Sequence, residues 1–186
     1  MINAPVKPWI QTYSGKKFDF LDIKLESIDI IDIAHALSNL CRYTGHTKSF
    51  YSVADHSILA ALNVNKEDRL VALLHDATEA YLNDISKPLK NLLPRYRELE
   101  DAVWLKIAEK FGLPAKLPLS VKDVDLRLLA TEKRDLLAEE PDEWTIIKDV
   151  KPYPKKVCSW GREKSEELFL KIFYDDVAEN TPFFKR

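Results

Sequence analysis

Apolar positions along this chain fall mostly three and four residues apart, the spacing that buries one face of a helix. The start differs. Trp9 to Phe20 reads as two short strands around Ser14-Gly15, where glycine supplies the positive φ of a tight turn. Then Ile31, Ala34, Leu37, Leu40 and Cys41 mark a helix that Gly45 can stop. Ser52 followed by Asp55 resembles a capping box and opens a helix through Ile58, Leu59 and Leu62. Asn65 can cap the next helix, which the pattern carries from Leu70 through Leu73 and Leu74 to Leu82. Asn83, Asp84, Ser86 and Pro88 break it. A long helix after Pro94 runs through Leu99, Val103, Trp104 and Ile107 to Gly112. Another is predicted from Ser120 to about Ala138, and a last one from Arg162 to Tyr174. Residues 151–161 read as irregular, and the tail 181–186 as loosely ordered.

The expected fold is therefore all-α: a helical bundle with a small N-terminal β-hairpin. One domain is expected over residues 1–186, with the hairpin at about 9–20 and the helical core at about 29–175.

Composition narrows the function classes. The net charge of −2 offers no basic field for a nucleic-acid polymer or an anionic membrane, so an anionic ligand must meet a few local cations. No apolar run approaches the roughly 18 residues of a membrane span. The first residues lack a signal-peptide core. The two cysteines, Cys41 and Cys158, suggest no disulfide framework. A cytoplasmic protein is the expectation.

The candidate chemistry begins with the four histidines, His35, His46, His56 and His75. In Leu73-Leu74-His75-Asp76-Ala77-Thr78-Glu79, an adjacent His and Asp emerge from the most apolar part of a helix. Aspartate is poor in a helix interior and rarely buried without a partner. A divalent cation resolves the conflict, because it takes an imidazole nitrogen and a carboxylate oxygen together. Glu79, four residues after His75, lies on the same face. Further ligands must come from other helices. Spacing alone does not choose among His35, His46 and His56, or between Asp123 and Asp125, which also suit a helix N-terminus as plain acids.

The order His, His-Asp, distant Asp resembles the signature of HD-domain phosphohydrolases. The stretch His75-Asp76-Ala77-Thr78-Glu79, with Asp84, Pro88 and Lys90 after it, is similar to the short bacterial and phage nucleotide phosphohydrolases of that superfamily. These include the bacterial 5′-deoxynucleotidase, phage dATP triphosphohydrolases and the phosphohydrolase of oxetanocin biosynthesis. The similarity extends to Ile33-Ala34-His35-Ala36-Leu37-Ser38, Arg42-Tyr43 and Ser52 to Ser57, and spans roughly Trp9 to Leu137.

The resemblance implies metal ligands His56, His75, Asp76 and Asp125, and catalytic carboxylates Glu79 and Asp84. It implies Arg42 and Lys90 as phosphate-binding cations. Lys87, beside Lys90, reads equally as an assistant at the phosphate or as an ordinary solvated lysine. Tyr43 stands where the deoxynucleotidase carries a tryptophan that crowds the sugar 2′ position. The implied cofactor is one divalent ion, of Mn, Co, Fe, Ni or Zn before Mg, since histidine ligands favour the first-row metals. The implied reaction is hydrolysis of 5′-phosphates from nucleotides, deoxynucleotides first, as mono- or triphosphates. Two other readings are a cyclic- or signalling-nucleotide phosphodiesterase and a non-enzymatic nucleotide sensor. The first lacks a spare histidine cluster for a second ion. The second has little use for Glu79 beside a full ligand set. Trp104, Trp160, Leu168, Phe169, Ile172 and Phe173 are expected to form core or the contact of a homo-oligomer. His35 reads as a structural hydrogen-bonding residue, and His46 as an exposed one.

Overall fold

The computed structural model describes residues 7–140, 142 and 144–180. It is mostly helical, with one two-stranded antiparallel hairpin. Strand β1 (Trp9–Gln11) pairs with β2 (Lys17–Asp19), Ile10 opposite Phe18. Gly15 turns the chain between them at φ 84°. Phe18 is fully buried and stacks on Tyr81 at 4.0 Å, which anchors the hairpin to the helical body.

Helix α1 (Ile30–Asn39) starts where Asp29 accepts a hydrogen bond from the Ile31 N–H. Helix α2 (Val53–Asn63) begins with the predicted capping box: Ser52 Oγ accepts from Asp55 N–H, and Asp55 accepts from Ser52 N–H. Between them the chain makes a kinked turn, Arg42–Gly45, in which Tyr43 and Thr44 are left-handed.

The predicted helix from Leu70 to Leu82 is divided. Helix α3 (Arg69–Leu74) ends before His75, and a single turn, α4 (Glu79–Leu82), follows. In between, Ala77, Glu79 and Ala80 bond back to Leu74, Asp76 and Ala77, the tighter i−3 pattern. The His75 ring itself donates to Ala72 O at 2.7 Å. Asn65 acts one step earlier than expected: its side chain accepts from Asp68 N–H, and Asp68 is the N-cap of α3.

A further single turn, α5 (Lys87–Lys90), follows Asn83 and Asp84 and includes Pro88, where the sequence breaks the helical pattern. Helix α6 (Pro94–Phe111) closes at Gly112, whose φ of 67° is the left-handed stop. Helix α7 (Leu119–Leu136) starts one residue before the predicted point. Ser120 does not cap it; its hydroxyl donates to Asp68 instead. Helix α8 (Arg162–Asn180) runs further than the pattern suggested, and the tail 181–186 lies outside the described residues.

Helix α2 is the centre of the packing, with α1, α3, α7 and α8 against it. One apolar cluster gathers Ile33, Leu37, Val53, Ile58, Leu73, Leu74, Val103, Ile107, Phe169 and Phe173. A second joins Ala60, Val71, Val121, Val124 and Leu128. Phe169 and Phe173 are thus core, with Leu168, Ile172 and Trp104 packed on its edge, while Trp160 is exposed. Because α2 is surrounded, its first turn is buried, and the polar side chains Asp55, His56 and Ser57 are fully enclosed there. A histidine in that position must be partnered. Among the described residues, no helix is long and apolar enough to cross a membrane.

Candidate metal centre

Three segments meet at the first turn of α2. The α2 N-terminus brings His56, the tight turn after α3 brings His75 and Asp76, and the first half of α7 brings Asp125. His56 Nε2 and His75 Nε2 lie 3.3 Å apart. Asp125 Oδ1 is 3.2 Å from His56 Nε2 and 4.0 Å from His75 Nε2. Asp76 Oδ2 is 3.7 Å and 3.4 Å from the same two nitrogens. One ligand atom from each of His56, His75 and Asp125 can be chosen so that all lie within 4.8 Å of one another, a group that can hold a metal ion. All four predicted ligands therefore come together. The histidines are buried, and the Asp125 side chain, 43% exposed, opens the site to solvent.

The histidine tautomers follow from their outer partners. His75 Nδ1 faces a carbonyl, which only accepts, so Nδ1 carries the hydrogen. His56 Nδ1 lies 2.6 Å from Glu132 Oε1, which also only accepts. Each neutral ring then turns an Nε2 lone pair toward the other. Two lone pairs and two carboxylates converging at such distances repel unless a cation lies among them. The donor set thus fits a divalent ion, and imidazole ligands favour a first-row transition metal. In the metal-free chain a proton answers the same demand. Burial and Arg42 push the His56 imidazolium toward losing its proton, but Glu132 and Asp125 outweigh them, and its pKa rises to about 10. Burial acts against the Asp125 carboxylate, yet His56, His75 and Arg42 hold its pKa well below the usual range.

Glu79 lies one turn beyond Asp76 and is 5% exposed, with Oε2 lacking any hydrogen-bond partner. Burial, then Asp76 and Asp84, push its pKa well above that of an ordinary glutamate; Lys90 and Arg42 oppose the rise. Asp84 is raised as well, chiefly by burial. Lys90 Nζ sits 3.5 Å from Glu79 Oε1 and 2.6 Å from Glu100 Oε1. Arg42 reaches Asp76 Oδ2 through Nη1 at 3.2 Å and Glu132 Oε2 through Nε at 3.2 Å. Tyr43 donates its hydroxyl to Glu132 Oε2 at 2.6 Å. Lys87 is exposed. His35 and His46 do not join the site. His35 is stacked on Tyr13 at 3.6 Å and pairs with Glu166 at 3.1 Å, and His46 is exposed.

Sequence reasoning missed Glu132, Tyr51 and Glu100. Glu132 sits in the charged run Glu132-Lys133-Arg134, which reads as a solvated face. The available signal was its register: Val121, Asp125, Leu128 and Glu132 form one stripe of α7, and Glu132 is fully buried.

No protein-family model matches the chain. Over 142 residues it is 46% identical to the uncharacterized protein YfdR of Escherichia coli, covering 76% of this chain and 80% of that protein. Over 126 residues it is 39% identical to an uncharacterized protein of Rhodobacter capsulatus, covering 62% of this chain and 64% of that one. With nearly half the aligned residues identical across four fifths of YfdR, the chain belongs to the YfdR family.

Proposed function

We propose that this protein is a metal-dependent nucleotide phosphohydrolase of the HD superfamily, acting on 5′-phosphates and on deoxynucleotides first. One observation carries the reading. The His56 and His75 Nε2 atoms, 3.3 Å apart, converge with Asp76 and Asp125 within reach of a buried, partly unpartnered Glu79. The ordered His, His-Asp, Asp pattern and the match around Glu79, Asp84 and Lys90 support it. A merely structural ion would not need a buried carboxylate with a free oxygen beside it.

His56, His75, Asp76 and Asp125 would hold the ion. When bound, such an ion makes water acidic enough to ionise near neutral pH and polarises a phosphoryl oxygen. The remaining work belongs to side chains. Glu79 accepts the proton of the attacking water through its unpartnered Oε2. The oxygen of water bonds to phosphorus, and the bond from phosphorus to the leaving oxygen breaks. Asp84 is a second carboxyl with raised proton affinity, available for the proton that the leaving oxygen needs. Arg42 and Lys90 offset phosphate charge and aim it for in-line attack. Lys90 is already held beside Glu79 and Glu100, so its ammonium is aimed before substrate arrives.

The test is direct. Protein loaded with Mn²⁺ or Co²⁺ is incubated with ribo- and deoxynucleoside mono-, di- and triphosphates, and phosphate, pyrophosphate and triphosphate are separated. Release of any of them, lost on chelation, is expected. Stoichiometric metal binding with no product from any nucleotide would overturn the reading.

A further inference from the structure

We infer that Glu132 is the positioning residue of the site: it fixes the His56 ring and the Arg42 guanidinium together, so the ion-holding and phosphate-binding halves depend on one carboxylate. The inference rests on the reading above.

The geometry is specific. Glu132 is fully buried on α7 and receives four donors. Oε1 accepts from His56 Nδ1 at 2.6 Å and from the Tyr51 hydroxyl at 2.9 Å. Oε2 accepts from the Tyr43 hydroxyl at 2.6 Å and from Arg42 Nε at 3.2 Å. A carboxylate offers about four lone-pair sites, and all are taken. The carboxylate has no room for a proton of its own. Its fifth contact would be to solvent, from which it is sealed.

Each bond has a consequence at the site. The bond to His56 fixes the tautomer and the ring plane, so Nε2 faces His75 and Asp125. The bond to Arg42 Nε leaves Nη1 to reach Asp76. The bond to Tyr43 ties down a strained turn, because Tyr43 and Thr44 adopt left-handed φ values of 56° and 53°. Two consecutive non-glycine residues in that region hold it only when their surroundings insist. Without Glu132 the turn has reason to relax, and Arg42 would swing with it. Spacing adds the last element. Asp125 and Glu132 lie two turns apart on one face of α7, so one helix presents both a candidate ligand and the group that orients another.

Replacing Glu132 by Gln keeps the size but removes the charge, and its amide nitrogen must face two of the four donors, Tyr43 and Arg42 or His56 and Tyr51. The affinity for Mn²⁺, titrated in the full chain, should weaken about 10- to 100-fold, the usual cost of losing an outer partner of a metal-bound histidine. KM for a nucleotide monophosphate should rise in the same variant. Glu132→Asp, which keeps the charge and withdraws it by one methylene, should recover part of the Mn²⁺ affinity. A purely structural Glu132 would lower the melting temperature and leave Mn²⁺ affinity unchanged in the folded fraction.

A second measurement needs no variant. In wild-type protein loaded with Zn²⁺, nitrogen NMR of the imidazoles should find the hydrogen of His56 on Nδ1, protected from exchange with water. A hydrogen on Nε2, or rapid exchange at Nδ1, overturns the inference even if both variants fail to fold. The two levels separate cleanly. Unchanged Mn²⁺ affinity in folded Glu132→Gln defeats the positioning role alone, while wild-type protein that turns over no nucleotide defeats the hydrolase.

Discussion

Lys90 Nζ lies 3.5 Å from Glu79 Oε1, so the candidate phosphate-binding cation and the candidate proton acceptor form one pair within the site. Their proposed roles differ in kind: Glu79 toward the water, Lys90 toward the phosphate. Glu79→Ala should leave Mn²⁺ bound and nucleotide Kd near wild type, while kcat falls about 10²-fold or more. Removing a carboxylate near the phosphate can even tighten binding. Lys90→Ala should weaken binding and slow turnover together, since the ammonium meets phosphate in both ground and transition states. Metal content, Kd and single-turnover rate measured on both variants check this. Loss of the ion from Glu79→Ala would make it a ligand instead.

Lys87 offers the contrast. It is exposed on α5, three residues before Lys90. Lys87→Ala should change kcat/KM less than about threefold, the scale of a distant surface charge. A loss as large as that of Lys90→Ala would place Lys87 on the phosphate.

Removing a ligand tests the metal itself. His75→Ala or Asp76→Ala should abolish stoichiometric metal binding and hydrolysis together. In Asp76→Ala, Arg42 also loses one of its two carboxylate partners, leaving Glu132, so part of the stability goes with the ion. Elemental analysis and a nucleotide assay decide it. Full activity with an emptied site would show that the reaction needs no metal.

A further substitution concerns the sugar. The Tyr43 hydroxyl is engaged by Glu132, so the residue is anchored at its tip. Tyr43→Trp removes that anchor and adds bulk. The ratio of kcat/KM for matched deoxy- and ribonucleotides should rise, and total activity should fall because Glu132 loses a donor. An unchanged ratio would mean that Tyr43 does not face the sugar.

Asp55 carries a stability prediction away from the chemistry. It accepts from Ser52 N–H and Oγ, Ser159 Oγ, Trp160 N–H and Ser165 Oγ. One buried carboxylate thus joins α2 to the irregular stretch and to the start of α8. Asp55→Ala leaves these donors without an acceptor and should cost on the order of 3 kcal/mol. Denaturant unfolding measures it. A cost below about 1 kcal/mol would mean that water replaces the carboxylate without strain.

The sequence alone determined what depends on near neighbours along the chain. Helical periodicity located most of the helices, the Ser52–Asp55 box opened α2, and Gly112 closed α6. These signals are local, because a cap acts on backbone three residues away and an apolar stripe repeats every turn. The conflict of His75 and Asp76 with their apolar surroundings was also visible there. What the tertiary structure decided is everything that depends on which faces meet. His56 differs from His35 and His46 only in where its ring ends up: one faces His75, one lies under Tyr13, and one is exposed. The division of the helix at His75 follows from i−3 bonding that periodicity does not distinguish from a continuous helix. Glu132 was hidden for the same reason. It lies 76 residues from His56 and 90 from Arg42 in the chain, and only the packing of α7 on α2 brings their donors to its two oxygens.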